Sequence, residues 1–117
     1  MKQQGTGGRI VNMSSLGALK PWAEHIPYNA SKAGVVMLTK ALAKALAPEI
    51  TVNSVAPGLI PFENRDFTQI NESLIKNIPA GRSGEADEVA DAVLFFLQAS
   101  SYITGQLIAV DGGLSLR

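Results

Sequence analysis

The sequence contains no cysteine, a single histidine and no excess of either charge. Without cysteine there is neither a disulfide framework nor a thiolate metal site, which is typical of proteins in a reducing cytosol. Ten basic residues balance ten acidic ones, so no electrostatic attraction to nucleic acid or to an anionic membrane is expected. No apolar run reaches the roughly 18 residues of a membrane span, and no secretion signal opens the chain. We therefore expect a cytoplasmic protein with no nucleic-acid or membrane partner.

The sequence also lacks a glycine-rich turn between a strand and a helix, which is the usual cradle for a phosphate group. Its early glycines, Gly5, Gly7 and Gly8, follow residues 1–4, a segment predicted to be the last turn of a helix. They precede residues 9–13, an apolar segment predicted to be a strand. Glycine in this place ends a helix, so these residues are not interpreted as a phosphate-binding loop.

Strands and helices are predicted to alternate along the rest of the chain. Segments rich in β-branched residues predict two further strands, at 50–55 and 106–110. Alanine and leucine dominate residues 33–47, and an amphipathic pattern with acidic residues at its start covers residues 85–97, so both segments are predicted helices. A strand, a crossover helix and a second strand form a parallel unit, whose ligands collect at the carboxyl ends of the strands. An α/β fold with a parallel sheet is therefore expected.

Tyr28 and Lys32 are four residues apart at the start of the alanine-rich segment, so in a helix they would share one face. An ammonium group beside a phenol favours the ionised phenol and lowers a pKa that is otherwise about 10. Such a tyrosine becomes a proton donor and acceptor near neutral pH. The spacing alone is also compatible with a tyrosine at a helix start and a solvated lysine, so the residues around the pair decide the interpretation.

This pair is one of four short motifs. They are Asn12-x-Ser14-Ser15, Tyr28-x-x-x-Lys32, Asn53-x-Val55-x-Pro57-Gly58 and Asp111-Gly112-Gly113. They span nearly the whole chain, and in this order they resemble the motifs of the short-chain dehydrogenases/reductases. The resemblance implies the C-terminal half of a doubly wound, Rossmann-type parallel sheet with flanking helices. We expect residues 1–117 to be the catalytic and substrate half of a single such domain, with Met1 an internal methionine and the N-terminal cofactor-binding half absent from this chain.

The resemblance implies hydride transfer between a nicotinamide and a C=O or C=N carbon. It assigns Tyr28 as the proton donor and Lys32 as the cation that lowers its pKa and binds the nicotinamide ribose. The resemblance also implies that Ser15 positions the substrate heteroatom and stabilises the charge that develops on it. The expected cofactor is NADP or NAD, with NADPH favoured. The residues expected to contact it are Tyr28, Lys32, Pro57, Gly58 and Ile60.

Three residues are expected to contact the substrate: Ser15, Trp22 and Phe62. Trp22 belongs to the predicted loop at 16–27, which borders the substrate in this family, and a half-buried surface aromatic is the alternative. Phe62 is expected to stack on a flat substrate, with core packing as the alternative. His25 has no companion metal ligand and Tyr28 already supplies the proton, so His25 is expected to face solvent or the substrate edge, and no metal site is expected.

Short similarities to the pteridine and dihydromonapterin reductases occur at residues 25–28, 46–54, 59–62 and 111–117. They imply reduction of a dihydropterin such as dihydromonapterin or dihydrofolate. Ser15 favours the alternative, a general carbonyl or 3-oxoacyl-thioester reductase, because several members of the pteridine branch carry Asp there. A non-catalytic fragment or interaction module is the third hypothesis. The full-length enzyme is expected to be a homo-oligomer, a dimer or tetramer, that acts on a small molecule.

Overall fold

The computed structural model describes residues 1–61 and 72–117. Its strands are β1 (Gly8–Met13), β2 (Ile50–Pro57) and β3 (Leu107–Val110), and its α-helices are α1 (Ile26–Leu46), α2 (Glu72–Lys76) and α3 (Ala86–Gln98). Short 3-10 turns occupy Lys2–Gln4, Leu16–Ala18, Ala23–His25 and Leu114–Leu116. Within the described ranges, no helix combines the length and apolar character needed to cross a membrane.

The three strands form one parallel sheet in the order β1-β2-β3. Asn12 pairs with Ser54 across the first interface, and Ser54 pairs with Leu107 across the second. Helix α1 is the crossover between β1 and β2, as parallel strands require. The predicted α/β class with a parallel sheet is therefore confirmed, and the predicted strands differ from the observed ones by one or two residues at an end.

Strand β2 is the buried centre of the sheet, because every residue from Ile50 to Ala56 is buried. β-Branched side chains suit such a strand, since they pack well on a pleated surface that is covered on both faces. Ile50 and Val52 form a core cluster with Ala43 of α1. Partly buried side chains complete the cluster: Ile10, Leu42 and Leu46.

Helix α1 begins at Ile26, within the last two residues of the predicted loop at 16–27, and includes the whole alanine- and leucine-rich segment up to Leu46. Pro27 lies in its first turn, where the missing N–H costs no hydrogen bond and the fixed φ suits a helix. The interpretation of Pro27 as a loop residue was therefore wrong. The helix ends at Leu46, because the residue before Pro48 is driven to extended backbone, and Ala47 has φ −66° and ψ 150°. Tyr28 and Lys32 thus both lie inside the helix.

The acidic start of α3 forms a capping box. The Glu85 side chain accepts from the backbone of Glu88, and the backbone N–H of Glu85 donates to the Glu88 carboxylate at 2.9 Å. The Arg82 guanidinium donates to both oxygens of the same carboxylate, at 2.6 and 2.9 Å. The hydrogen bond from Arg82, followed by that from the Glu85 backbone, lowers the pKa of Glu88 from 4.5 to about 2.

Glu88→Gln should lower the melting temperature in a pH-dependent way. The pKa of Glu88 is depressed in the folded state, so its carboxylate stabilises the fold fully above about pH 4.5 and loses this effect as the pH falls towards 2. The difference in melting temperature between wild type and variant should therefore be constant above pH 5 and shrink below pH 4. Thermal unfolding followed by circular dichroism measures it, with Glu24→Gln as an exposed control. A difference that stays constant down to pH 2 would contradict the assignment.

Candidate active site

Tyr28 and Lys32 lie together at the start of α1. The Lys32 ammonium nitrogen is 5.7 Å from the centre of the Tyr28 ring, and the tyrosine side chain is 43% exposed, so a ligand can reach it. Lys32 Nζ also donates to the main-chain oxygen of Met13, the last residue of β1, at 3.3 Å. The proximity predicted from the four-residue spacing is present, and the ammonium is held between the helix and the end of the first strand.

Ser15 follows the same strand end and is buried. Its hydroxyl oxygen accepts the N–H of Gly17 at 3.1 Å, which caps the 3-10 turn Leu16–Ala18. This bond uses a lone pair of Oγ and leaves the hydroxyl proton for donation to a ligand. The turn packs directly on Tyr28, because a Cβ added to Gly17 would lie 3.1 Å from the ring carbon Cε1 of Tyr28. One glycine therefore contacts both the Ser15 hydroxyl and the Tyr28 ring.

Trp22, the predicted substrate contact, lies beside Tyr28. The two rings are parallel to within 4°, with centres 6.3 Å apart. His25 meets the edge of Trp22 at 6.0 Å and is exposed, in agreement with the expected solvent-facing position. Asn29 fixes the loop, since its side-chain amide donates to the carbonyl oxygen of Trp22 at 3.0 Å. The sequence analysis did not predict the contact of Gly17 with Tyr28 or the hydrogen bond from Asn29 to Trp22. Both depend on how the loop folds back on α1.

The end of β2 lies next to the end of β1. Met13 pairs with Val55, so Ser15 and Pro57 each lie two residues beyond the same pair. The N–H of Gly58 donates to the carbonyl oxygen of Val110 at 2.9 Å. Three of the expected cofactor contacts therefore lie at or just after this strand end: Pro57 and Gly58, which are partly buried, and Ile60, which is buried. The expected substrate contact Phe62 lies outside the described residues.

Asp111 closes the same edge of the sheet after β3. Its carboxylate accepts the N–H groups of Gly113 and Ser115, at 2.9 and 2.8 Å. Burial raises the pKa of Asp111, but the hydrogen bonds from the Ser115 side chain and from the backbone of Ser115 and Gly113 outweigh it, so the net pKa is lowered. A Cβ added to Gly58 would lie 2.7 Å from Cα and Cβ of Asp111, so the turns after β2 and β3 touch. The Asp111-Gly112-Gly113 motif is visible in the sequence, but the contact between Gly58 and Asp111 is not.

A cavity of about 430 Å³ lies elsewhere, at the amino ends of β1 and β2. Its lining includes Gly7, Arg9 and Glu49, which are at the opposite end of the strands from Ser15 and Pro57. In parallel sheets with crossover helices, ligands bind outside the carboxyl ends of the strands. The edge that carries Ser15, Tyr28 and Lys32 is therefore the candidate active site.

The parallel sheet with its flanking helices is an α/β arrangement of the Rossmann type. The family model described as Enoyl-(Acyl carrier protein) reductase matches residues 1–115. The chain is 50% identical over 116 residues to the 3-oxoacyl-[acyl-carrier-protein] reductase of Homo sapiens, covering 97% of this chain and 47% of that protein. It is 50% identical over 113 residues to the carbonyl reductase family member 4 of Danio rerio, covering 94% of this chain and 46% of that protein. The chain belongs to the short-chain dehydrogenase/reductase family.

Solved structures agree with this assignment. A putative 2-deoxy-d-gluconate 3-dehydrogenase of Agrobacterium tumefaciens with bound NADP superposes with a TM-score of 0.89 at 35% identity. The alignment covers 98% of this chain and 49% of that one. The chain thus spans about half the length of the curated relatives and solved structures that it matches.

Gly58→Ala should destabilise the protein, because the new Cβ would meet the Asp111 backbone at 2.7 Å and force the two turns apart. Overpacking of this kind costs about 1–3 kcal/mol. Gly34→Ala is the matched control, since a Cβ there meets nothing within 4 Å and alanine favours a helix by about 1 kcal/mol. Urea denaturation compares the free energies of unfolding. Equal stability of the two variants would contradict the close approach of Gly58 and Asp111.

Proposed function

We propose that the protein carrying this chain is an NAD(P)H-dependent carbonyl reductase whose substrate is a 3-oxoacyl thioester or a closely related ketone. The observation that carries the proposal is the grouping of Tyr28, Lys32 and the capped Ser15 hydroxyl at one sheet edge. The substrate class follows from the relatives, which are named as 3-oxoacyl-[acyl-carrier-protein] reductases and carbonyl reductases. These names favour the thioester or general carbonyl hypothesis over the dihydropterin hypothesis.

The donor set of this edge fits a nicotinamide nucleotide. Lys32 offers an ammonium group for ribose hydroxyls, and main-chain groups at the same sheet edge are offered by Pro57, the last residue of β2, and by Gly58 and Ile60 after it. We propose that these residues and Tyr28 hold the nicotinamide end of the cofactor, with NADPH favoured because an aligned relative contains NADP. When bound, the reduced nicotinamide supplies the hydride to the carbonyl carbon.

Tyr28 is proposed to donate the phenolic proton to the carbonyl oxygen as the hydride reaches the carbon. The product is an alcohol, and solvent returns a proton to the phenolate. The Lys32 ammonium lies on the same helix face, 5.7 Å from the ring centre, and stabilises the negative charge that the phenol oxygen acquires. Proton transfer from a positioned side chain contributes about 10²–10⁴-fold to a rate.

Ser15 is proposed to donate its hydroxyl proton to the same carbonyl oxygen. Its oxygen is already engaged by the N–H of Gly17, which fixes the direction of the remaining proton. A fixed donor of this kind stabilises the charge that develops on the oxygen without reorganising during the reaction. Trp22 and Phe62 are proposed to line the substrate side, with Trp22 supported by its parallel stacking beside Tyr28.

We further propose that a glycine-rich half of the same Rossmann-type domain completes the site. The support is the length comparison with the relatives and the position of β1 at the end of the strand order formed by residues 1–61 and 72–117. The assembly is proposed to be a cytoplasmic homo-oligomer. Met37 and Leu38 of α1 support this, because they are 65% and 51% exposed and burial against a second copy would remove that apolar surface from water.

The substrate class is tested on the full-length protein by following NADPH oxidation with three kinds of acceptor. A 3-oxoacyl thioester should be reduced with the highest kcat/KM, a simple ketone more slowly and a dihydropterin slowest. Each reaction is repeated with NADH, which tests the cofactor preference separately. Turnover with the dihydropterin alone would overturn the proposed substrate and favour the pteridine-reductase hypothesis, and no turnover with any acceptor would favour the non-catalytic hypothesis.

Tyr28→Phe should lower kcat by about 10²–10⁴-fold, because it removes the donor and keeps the ring. Binding of NADPH should stay within a few-fold of wild type, on the order of the effect of one lost neutral hydrogen bond. Lys32→Ala should impair both turnover and NADPH binding. Steady-state kinetics and a fluorescence titration measure the two quantities.

Matched controls exist for both variants. Tyr102 is the other tyrosine of the chain and is 97% exposed, and Lys40 is an exposed lysine of the same helix. Tyr102→Phe and Lys40→Ala should leave kcat unchanged. If Tyr28→Phe retained most of the wild-type rate, another group would be the proton donor.

A further inference from the structure

Besides the bond from Lys32 to Met13, two side-chain hydrogen bonds run to α1 from β1 and from the residue that follows it. The side-chain amide of Asn12 donates to the Thr39 hydroxyl at 2.9 Å, and the Ser14 hydroxyl donates to the main-chain oxygen of Lys32 at 3.3 Å. Asn12 of β1 and Ser14, which follows the strand, are two residues apart and both reach α1, while Lys32 and Thr39 are seven residues apart and share one helix face. The two bonds therefore run in the same direction, from the β1 side to α1.

The contact of Thr39 is the more buried of the two, because Thr39 is 1% exposed and its hydroxyl must find its partners inside the protein. Its hydroxyl donates to the Val35 carbonyl oxygen within the helix at 2.8 Å, which fixes the proton and turns a lone pair towards Asn12. Thr39 thus accepts in a single orientation. Loss of this acceptor would leave the amide of Asn12 facing a buried apolar surface, which is costly for a polar group.

Asn12 is itself fixed to the centre of the sheet. Its main-chain oxygen accepts the hydroxyl of the fully buried Ser54 at 3.1 Å, and the two residues are register partners across β1 and β2. A line of polar contacts thus runs from Ser54 through Asn12 to Thr39. It connects the buried central strand β2 with the helix that carries Tyr28.

The register of α1 against β1 decides how Tyr28 meets Ser15, because Tyr28 belongs to the helix and Ser15 follows the strand. The neighbouring core contacts of Ala43, Leu42 and Leu46 are apolar and non-directional, so they permit small slides of the helix. A hydrogen bond is directional and weakens steeply with misalignment. The bond from Asn12 to Thr39 is therefore suited to fix the register.

We propose that Thr39 is a positioning residue that acts through its hydrogen bond from Asn12 to hold α1 where Tyr28 and Ser15 reach one substrate oxygen. The inference rests on the proposed function and adds a residue that touches neither substrate nor cofactor. It predicts an effect on kcat that exceeds any effect on binding, because the geometry of proton donation changes while the contacts that bind substrate remain.

The experiment compares three variants of the full-length protein. Thr39→Val keeps the shape and removes the hydroxyl, and it should lower kcat about tenfold with KM within about twofold, since a misplacement of about 1 Å costs up to 10²-fold. Thr39→Ser keeps the hydroxyl and loses only the methyl group, so its kcat should stay within about twofold of wild type. Ala43→Gly destabilises the same helix in its apolar core and should keep kcat within about twofold at a matched loss of melting temperature.

A kcat for Thr39→Val equal to that of Ala43→Gly would show a purely structural bond and overturn the proposal. Should Thr39→Val fail to fold, Asn12→Ala removes the same bond from the strand side and must show the same selective loss of kcat. If both variants fold, the double variant Asn12→Ala/Thr39→Val should have a kcat no lower than that of the slower single variant, because the two residues act through one bond.

Trp22 provides a measurement that requires no turnover. Trp22 is the one tryptophan among these 117 residues and stacks beside Tyr28, so the part of the near-ultraviolet circular dichroism that disappears in Trp22→Phe reports the local geometry. The band should change in Thr39→Val and stay unchanged in Thr39→Ser and Ala43→Gly. An unchanged band in Thr39→Val overturns the positioning role, whether or not the protein reduces a carbonyl. Absence of turnover in wild type, with the band altered as expected, would count against the proposed function alone.

Discussion

Hydrogen bonding on both edges of the buried strand β2 is the constraint on which the rest of the molecule depends. Strand β1 pairs with one edge and β3 with the other, all in the same direction. The bonding continues beyond the strands, from Ser14 N–H to the Val55 oxygen and from Gly58 N–H to the Val110 oxygen. Three chain segments are consequently brought to one edge by backbone alone, and the candidate site follows from this pairing before any side chain makes a contact.

Helix α1 packs on this sheet, and polar contacts fix the start of the helix at the edge that carries the candidate site. Lys32 bonds to the last carbonyl of β1, and Ser14 bonds back to the carbonyl of Lys32. The core beneath the middle of the helix is apolar, so burial drives the helix onto the sheet. Burial of apolar area therefore drives α1 onto the sheet, and a few directional hydrogen bonds set the position of the helix.

The elements and the catalytic candidates could be predicted from the sequence because their signals are local. β-Branched runs marked the strands, the residue before Pro48 marked the helix end, and the four-residue spacing of Tyr28 and Lys32 marked a shared face. The predicted loop at 16–27 ended two residues too late, because proline is common both in loops and in the first turn of a helix.

Other contacts could not be predicted because their partners are distant in the chain. The stacking of Trp22 on Tyr28 depends on a loop held by Asn29, and the bond from Asn12 to Thr39 joins residues 27 positions apart. Such pairs exist only after the sheet and helix have met. Sequence patterns thus gave the residue types of the site, while their relative positions came from tertiary packing.

The position of Tyr28 in the helix adds to the electrostatics of its contact with Lys32. Tyr28 is the third residue of α1, within the turn whose N–H groups have no acceptor inside the helix. These groups give the helix start a partial positive charge, which favours negative charge nearby. The ammonium of Lys32 adds a full positive charge on the same face. The helix start and the Lys32 ammonium are therefore two sources of positive charge beside Tyr28, and both belong to the first turns of α1.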